Sequence, residues 1–94
     1  MTNWPFSDPP DTAVFTGKKV VGKVDWIYYV THDREDGAWQ FHGQSGPTPE
    51  AEASVVGLGT MIRLDPSLEQ LADLPLGWCA SRQGPTAPWE RREL

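Results

Sequence analysis

The sequence predicts an α+β domain, an antiparallel sheet of about four to six strands with one or two short helices packed on one face. Two runs rich in aromatic and β-branched residues, within residues 24–43, flank a polar segment that ends in Asp36 and Gly37. This pattern is typical of a β-hairpin. A leucine stripe at helical spacing follows Asp65 and Pro66. A chain of 94 residues has room for one such core.

The hairpin of residues 24–43 is the element on which the other elements must pack. If Thr31 faces Trp39 and Tyr29 faces Phe41, alternation of side chains divides the strands into two faces. The core face then carries Ile27, Tyr29, Thr31, Trp39 and Phe41, and the opposite face carries Trp26, Tyr28, Val30, Gln40 and His42. A shift by one residue would exchange the faces and turn Gln40 and His42 inward, which costs unpaired polar burial.

Before the hairpin, residues 1–12 form an N-terminal arm and residues 13–94 form the domain. Three prolines give the arm an extended backbone, and Trp4 and Phe6 are the side chains that could anchor it. Residues 13–16 are a strand candidate closed by Gly17. Residues 20–21 are then expected to begin another strand.

After the hairpin, the glycines and prolines of residues 43–50 predict an exposed loop. Residues 54–58 read as a strand, and residues 59–64 are predicted as a short helix in preference to a continued strand. Asp65 suits an N-cap and Pro66 the first position of a helix over residues 66–74. Its leucines face the sheet, residues 78–81 form the last strand, and a tail holds Trp89.

The charge of the chain is concentrated in one region. The net charge is −5, and eight acidic residues lie between His32 and Asp73 beside only two arginines. A field of this sign repels phosphate backbones, so the sequence argues against nucleic-acid binding and favours a basic protein partner. The alternative is a solvated acidic surface that serves solubility.

Cysteine content and hydropathy predict the compartment. The single cysteine, Cys79, cannot form an intramolecular disulfide or a thiolate cluster. No stretch approaches the roughly 20 apolar residues that span a bilayer, and the first residues lack the basic and apolar regions of a signal peptide. We therefore expect a cytoplasmic protein without a membrane partner.

Candidate catalytic and metal-binding residues are few. Cys79 could act as a nucleophile with His32 or His42 as base, but no basic neighbour or helix start stabilises a thiolate there, and a buried inert cysteine is expected. His32, Asp33 and His42 could bind a metal only if they met at one end of the hairpin. We expect no catalytic residue, no metal and no cofactor.

Aromatic residues carry the strongest signal for binding. Most are expected in the core, but a hairpin with apolar residues on both faces needs two covering layers. Whatever stays uncovered of Trp26, Tyr28 and Val30 would form a partner-binding patch beside the acidic loop. The predicted partner-binding residues are Trp26, Tyr28, Asp33, Glu35, Asp36 and His42.

Two segments carry a family resemblance: residues 36–43, Asp-Gly-Ala-Trp-Gln-Phe-His-Gly, and residues 64–78, followed by Arg82 and Trp89. They resemble small bacterial domains of unknown function that are grouped with immunity-protein-like domains of polymorphic toxin systems. The likeness covers roughly residues 13–92. It implies an α+β domain and, for some members, neutralisation of a toxin by direct binding, and it brings no catalytic residues.

These observations predict a non-catalytic cytoplasmic protein-binding domain of the immunity type. One alternative is a small enzyme or ligand-binding domain that uses Cys79, His32 and His42. Another is a self-associating scaffold. The oligomeric state stays open.

Overall fold

A six-stranded sheet is the centre of the structure, a computed structural model that describes residues 4–44 and 48–94. The strands are β1 (Ala13–Gly17), β2 (Ile27–His32), β3 (Trp39–Gly43), β4 (Ala53–Gly57), β5 (Trp78–Ser81) and β6 (Glu90–Glu93). The strand order is β4-β1-β3-β2-β5-β6. Neighbouring strands pair antiparallel, except that β1 and β3 run parallel.

Short helices connect the strands and confirm the α+β class. They are α1 (Lys18–Val21), α2 (Leu58–Leu64), and 3₁₀ helices at Glu50–Glu52 and Pro66–Leu71. The predicted helix after β4 is confirmed as α2. The expectation of a strand at residues 20–21 is wrong, because the chain turns at once: the Gly22 amide donates to the Lys18 carbonyl over 2.9 Å, and Val20 is buried.

The two faces of the sheet differ in what covers them. One face packs with α2 and the Pro66–Leu71 helix around a core that includes Val14, Val30, Phe41 and Ala80. We call the opposite side the outer face. It is defined by Val55, Phe15, Gln40, His42, Tyr29, Thr31 and Cys79, which strand alternation places on that side.

The hairpin exists as predicted, but its register is shifted by one residue. His32 lies opposite Trp39, Val30 opposite Phe41, and Tyr29 opposite His42. Trp39 and Phe41 therefore face the core and Gln40 and His42 face outward, as expected. In β2 the core position of Ile27 is confirmed. The assignment was wrong for Val30, which is fully buried, and for Tyr29 and Thr31, which lie on the outer face.

A bulge between Ile27 and Tyr29 explains how β2 departs from simple alternation. The extra residue lets both Ile27 and Val30 point into the core. At the other end, the loop of residues 33–38 closes with hydrogen bonds from the Gly37 amide to the Asp33 carbonyl and from the Asp33 amide to the Ala38 carbonyl, each 2.8 Å long. Together the loop and the bulge set the register.

The leucine stripe after Asp65 packs as predicted. Asp65 caps the helix by accepting a hydrogen bond from the Ser67 amide, and Leu68, Leu71 and Leu74 are at most 2% exposed. The helix differs from the prediction in its type and end, since it is a 3₁₀ helix that ends at Leu71. This tighter winding is common in short connecting pieces.

The described part of the N-terminal arm packs on the body. Phe6 is 6% exposed and belongs to the core, where its ring meets Trp39 edge-on at 5.5 Å. The Trp39 indole donates to the Asp8 carboxylate over 3.0 Å. Residues 1–3 of this arm and residues 45–47 of the predicted exposed loop lie outside the described residues.

At the other end, residues 78–81 were wrongly expected to be the last strand. Glu90–Glu93 forms β6, which pairs antiparallel with β5. Its charged side chains are all exposed, so no alternating apolar pattern marks it. The backbone of β5 offers a row of donors and acceptors at that edge, and β6 pairs with them.

Arg82 is 1% exposed and joins three parts of the core. Its Nε donates to the Ile27 carbonyl over 2.8 Å and its Nη1 to the Ser67 hydroxyl over 2.9 Å. Its Nη2 forms an ion pair with Asp65. Burial raises the pKa of the Asp65 carboxyl, but the hydrogen bonds from Ser67 and Arg82 and the charge of Arg82 outweigh it and hold that pKa below its ordinary value.

Two tryptophans cover the guanidinium of Arg82. Its central carbon lies 4.1 Å from the centre of the Trp89 ring and 5.8 Å from that of Trp26. Both distances allow cation–π attraction. The arginine thereby fastens the segment between β5 and β6 to the start of β2.

Asp65→Asn should destabilise the domain strongly, because Arg82 would keep a buried charge without its counter-ion. We expect a loss of about 3 kcal/mol in the free energy of unfolding, measured with urea. Asp73→Asn is the matched control, since Asp73 pairs with Arg91 at the surface, and its melting temperature should hardly change. Equal losses in the two variants would contradict the role assigned to Arg82.

Candidate functional site

A depression of about 590 Å³ opens on the outer face between β2 and β3. We call it the β2–β3 depression. Its walls are more apolar than polar, which is typical of binding pockets. Its lining includes Tyr28, Tyr29, Thr31, Asp33, Gln40 and His42.

A second, smaller depression of about 260 Å³ adjoins the first. Phe15 and Ala53 line it, together with Gln40, His42 and Thr48. Gln40, His42 and Thr48 also line the β2–β3 depression. The two hollows therefore form one continuous surface.

Tyrosine side chains form the aromatic part of the β2–β3 depression. Tyr28, in the bulge, is 38% exposed, and the Tyr29 ring lies 6.1 Å from the His42 ring. Burial raises the pKa of the Tyr29 phenol, and a hydrogen bond with the Cys79 thiol raises it further. The phenol is therefore uncharged at neutral pH.

A hydrogen-bonded chain runs from Asp33 through Gln40 to His42. Gln40 Nε2 donates to Asp33 Oδ2 over 2.6 Å, so Gln40 Oε1 is left to accept from His42 Nε2 over 3.1 Å. The proton of His42 must then sit on Nε2. Burial lowers the pKa of His42, while the charge of Asp33 opposes the shift, so the neutral ring accepts from the Thr48 hydroxyl at Nδ1 over 3.1 Å.

Thr31 is the buried polar residue of the depression. It is 7% exposed, and its hydroxyl has no hydrogen-bond partner among residues 4–44 and 48–94. Most buried hydroxyls in native structures are paired. This hydroxyl is therefore a candidate for contact with a bound group.

The structure brings together most of the predicted partner-binding residues. Tyr28, Asp33 and His42 line the β2–β3 depression. Trp26 meets Tyr28 edge-on at 6.0 Å but lies against Arg82 and lines a different hollow. Glu35 and Asp36 follow in the exposed loop. They share with Asp33 a further depression of about 500 Å³, so Asp33 links the acidic loop to the aromatic surface.

The residues of the alternative site do not converge. His32 points to the core face, where its ring stacks on Trp39 at 3.9 Å and its Nδ1 donates to the Leu74 carbonyl over 2.7 Å. His42 and Cys79 lie on the outer face, and Cys79 is 2% exposed. Within the described part of the chain, no group of three histidine, cysteine or acidic side chains is placed to hold a metal ion.

Sequence reasoning missed Tyr29, Thr31 and Gln40 as parts of the site. It assigned Tyr29 and Thr31 to the core because it placed Thr31, and not His32, opposite Trp39, and this register depends on how the two strands pair. Only the outward position of Gln40 was foreseen. The pairing of Gln40 with Asp33 depends on the loop closing over residues 33–38.

Comparisons with models of protein families, with curated proteins and with solved structures found no match for this chain. The fold and the site define an α+β domain whose sheet keeps one face partly open. No helix in residues 4–44 and 48–94 is long and apolar enough to cross a membrane.

The pKa of His42 should lie below its ordinary value of 6.5. The neutral ring should carry its proton on Nε2. Nitrogen-15 NMR of the imidazole reports both properties. Asp33→Asn should lower the midpoint further, because the Asp33 charge favours the protonated ring. Glu35→Gln removes the same charge from a more exposed position and should lower the pKa of His42 less. A His42 pKa above 6.5 in the unmodified protein would contradict this geometry.

Proposed function

We propose that this chain is a non-catalytic protein-binding domain that docks a basic partner on its outer face, around the β2–β3 depression. The observation that carries the proposal is an apolar hollow on a partly open sheet face, lined by two tyrosines and bordered by an acidic loop. A surface of this kind offers aromatic anchors and a charged rim, the usual composition of a binding interface.

Exposed apolar side chains on the outer face support the proposal. Phe15 is 45% exposed, and Val55, its cross-strand neighbour on β4, is 59% exposed. Tyr28 lines the β2–β3 depression on the same surface. A contiguous apolar surface with polar rims is more typical of an interaction site than scattered single residues are.

Charge supports a basic partner. Asp33, Glu35 and Asp36 follow one another closely at the end of β2, and the chain as a whole carries a net charge of −5. Arg34, within the same loop, faces Glu93 at 3.7 Å, so its charge is partly offset. The field near the loop therefore attracts cations and speeds their encounter with the outer face.

The inhibitory role is proposed on the resemblance to immunity-protein-like domains and on the kind of surface present. An inhibitor that blocks a toxin by direct binding needs a rigid complementary surface and no reacting group. The proposed site of action is the cytoplasm, since the single, buried Cys79 suits a reducing compartment.

A display selection can test the proposal without a known partner. Peptides selected from a random library on this protein should be enriched in lysine and arginine. The triple variant Asp33→Asn, Glu35→Gln and Asp36→Asn should bind them about tenfold more slowly at low salt, because steering is lost. Tyr28→Ala should speed dissociation roughly tenfold, because an aromatic anchor is lost.

The matched control neutralises Asp11, Glu69 and Asp73, three exposed carboxylates outside the acidic loop. It changes the net charge by the same amount and should leave association nearly unchanged. If both triple variants slow association equally, the acidic loop is only solvated surface. If no basic peptides emerge from the selection, the proposed function is wrong.

Self-association is a second candidate function, favoured by the edges of the sheet. The β4 edge, Ala-Ser-Val-Val-Gly, carries no charge, whereas β6 at the other edge is Glu-Arg-Arg-Glu. Charged side chains protect an edge from pairing, and their absence permits it. The occupant of the β4 edge would be β4 of a second copy, paired antiparallel about Val55.

Sedimentation over a range of protein concentrations tests this second candidate. A dimer should form as concentration rises and should be lost in Val55→Lys, because the new charge lies on the pairing strand. Val24→Lys is the matched control, since Val24 is 79% exposed and lines a hollow to which no β4 residue contributes, and this variant should dimerise normally. A monomer at all concentrations would exclude self-association.

A further inference from the structure

We propose that the β2–β3 depression is a socket for one lysine side chain of the partner, with Asp33 as its counter-ion. The inference rests on the proposed function and specifies the chemistry of its central contact. It combines three features of the depression: aromatic walls, a fixed carboxylate and a buried hydroxyl without a partner.

The walls suit the aliphatic stem of lysine. Tyr28 and Tyr29 line the depression, and its surface is mostly apolar. Its volume of about 590 Å³ leaves room for a long side chain and part of the segment that carries it. Aromatic rings also attract a cation that passes over them.

Asp33 supplies the charge from a fixed position. Its Oδ2 accepts from Gln40 Nε2, and Gln40 is held in turn by His42. A carboxylate whose geometry is set before binding loses little side-chain freedom on pairing with a cation. The Asp33–Gln40–His42 chain therefore preorganises the counter-ion.

Thr31 supplies a second acceptor. It precedes Asp33 by two residues and lines the same depression, and its unpaired hydroxyl can accept a hydrogen bond from an ammonium group. An apolar partner side chain would leave the Thr31 hydroxyl without a hydrogen-bond partner and the Asp33 charge without a counter-ion in a covered site. That outcome is unfavourable because desolvated polar groups need partners.

The other charged side chains near the depression leave its net charge negative. Arg92 on β6 acts electrostatically on Tyr29, and Arg34 is offset by Glu93. Glu35 and Asp36 add to the charge of Asp33 through the loop. The rings of His42 and Tyr29 are uncharged at neutral pH, so the Tyr29 and His42 walls do not repel a cation.

Lysine fits this arrangement better than arginine does. Arginine binds a carboxylate most strongly when its planar guanidinium donates two parallel hydrogen bonds, one to each oxygen. At Asp33, Oδ2 already accepts a hydrogen bond from Gln40 Nε2, which leaves one acceptor position fewer for a bidentate arginine. An ammonium group needs only the remaining oxygen and the Thr31 hydroxyl.

Short capped peptides with one central lysine flanked by glycines test the socket. Titrated into nitrogen-15-labelled protein, the lysine peptide should shift the amide signals of Tyr29, Thr31 and Gln40 with a Kd on the order of millimolar. The norleucine peptide, which lacks the charge, should not saturate, and the arginine peptide should bind several-fold more weakly.

Asp33→Asn should weaken binding of the lysine peptide about fivefold or more, because a charged hydrogen bond is replaced by a neutral one. Glu35→Gln is the matched control and should stay within about twofold, because exposed charges contribute little to a contact they do not touch. The amide spectrum of each variant shows whether the fold is retained.

Three outcomes would overturn the socket: norleucine binding as tightly as lysine, arginine binding more tightly, or Asp33→Asn matching the unmodified protein. These results are distinguishable from failure of the proposed function. If peptides selected on the outer face keep their affinity after lysine is replaced by norleucine, the socket is wrong and the protein-binding role stands.

Discussion

The fold depends on the burial of one charged side chain, Arg82. A guanidinium that is 1% exposed is tolerated only when its donors and its charge are paired. Asp65, Ser67 and the Ile27 carbonyl meet this need from three different segments. The 3₁₀ helix, the start of β2 and the segment after β5 must therefore take fixed positions relative to one another, and the position of β2 in turn sets the outer face.

A chain of this size covers one face of its sheet more fully than the other. The leucines of α2 and of the Pro66–Leu71 helix pack on the core face, while Phe15 and Val55 on the outer face stay largely exposed. Small domains bury a smaller fraction of their surface than large ones. The partly open face is thus a consequence of chain length and helix placement, and it is also the surface best suited to a partner.

The bulge in β2 links the fold to the candidate site. It lets Ile27 and Val30 remain in the core while Tyr29 and Thr31 reach the outer face beside His42. Without the extra residue, Ile27 and Val30, three residues apart, would point to opposite faces. The bulge therefore keeps Ile27 in the core while Tyr29 and Thr31, paired with His42 and Gln40, line the β2–β3 depression.

The sequence by itself determined the elements whose signals are local. The hairpin strands, α2 and the cap at Asp65 follow from alternation, periodicity and capping chemistry within a few residues. Only the tertiary structure decided the register of β2, the pairing of β6 and the burial of Arg82. Register and pairing depend on which backbone groups meet, and Arg82 finds its partners in distant segments. Of the predicted partner-binding residues, Tyr28, Asp33 and His42 line the β2–β3 depression. Tyr29 and Thr31, which the prediction placed in the core, line it as well, since strand register is a property of paired backbones and not of either strand alone.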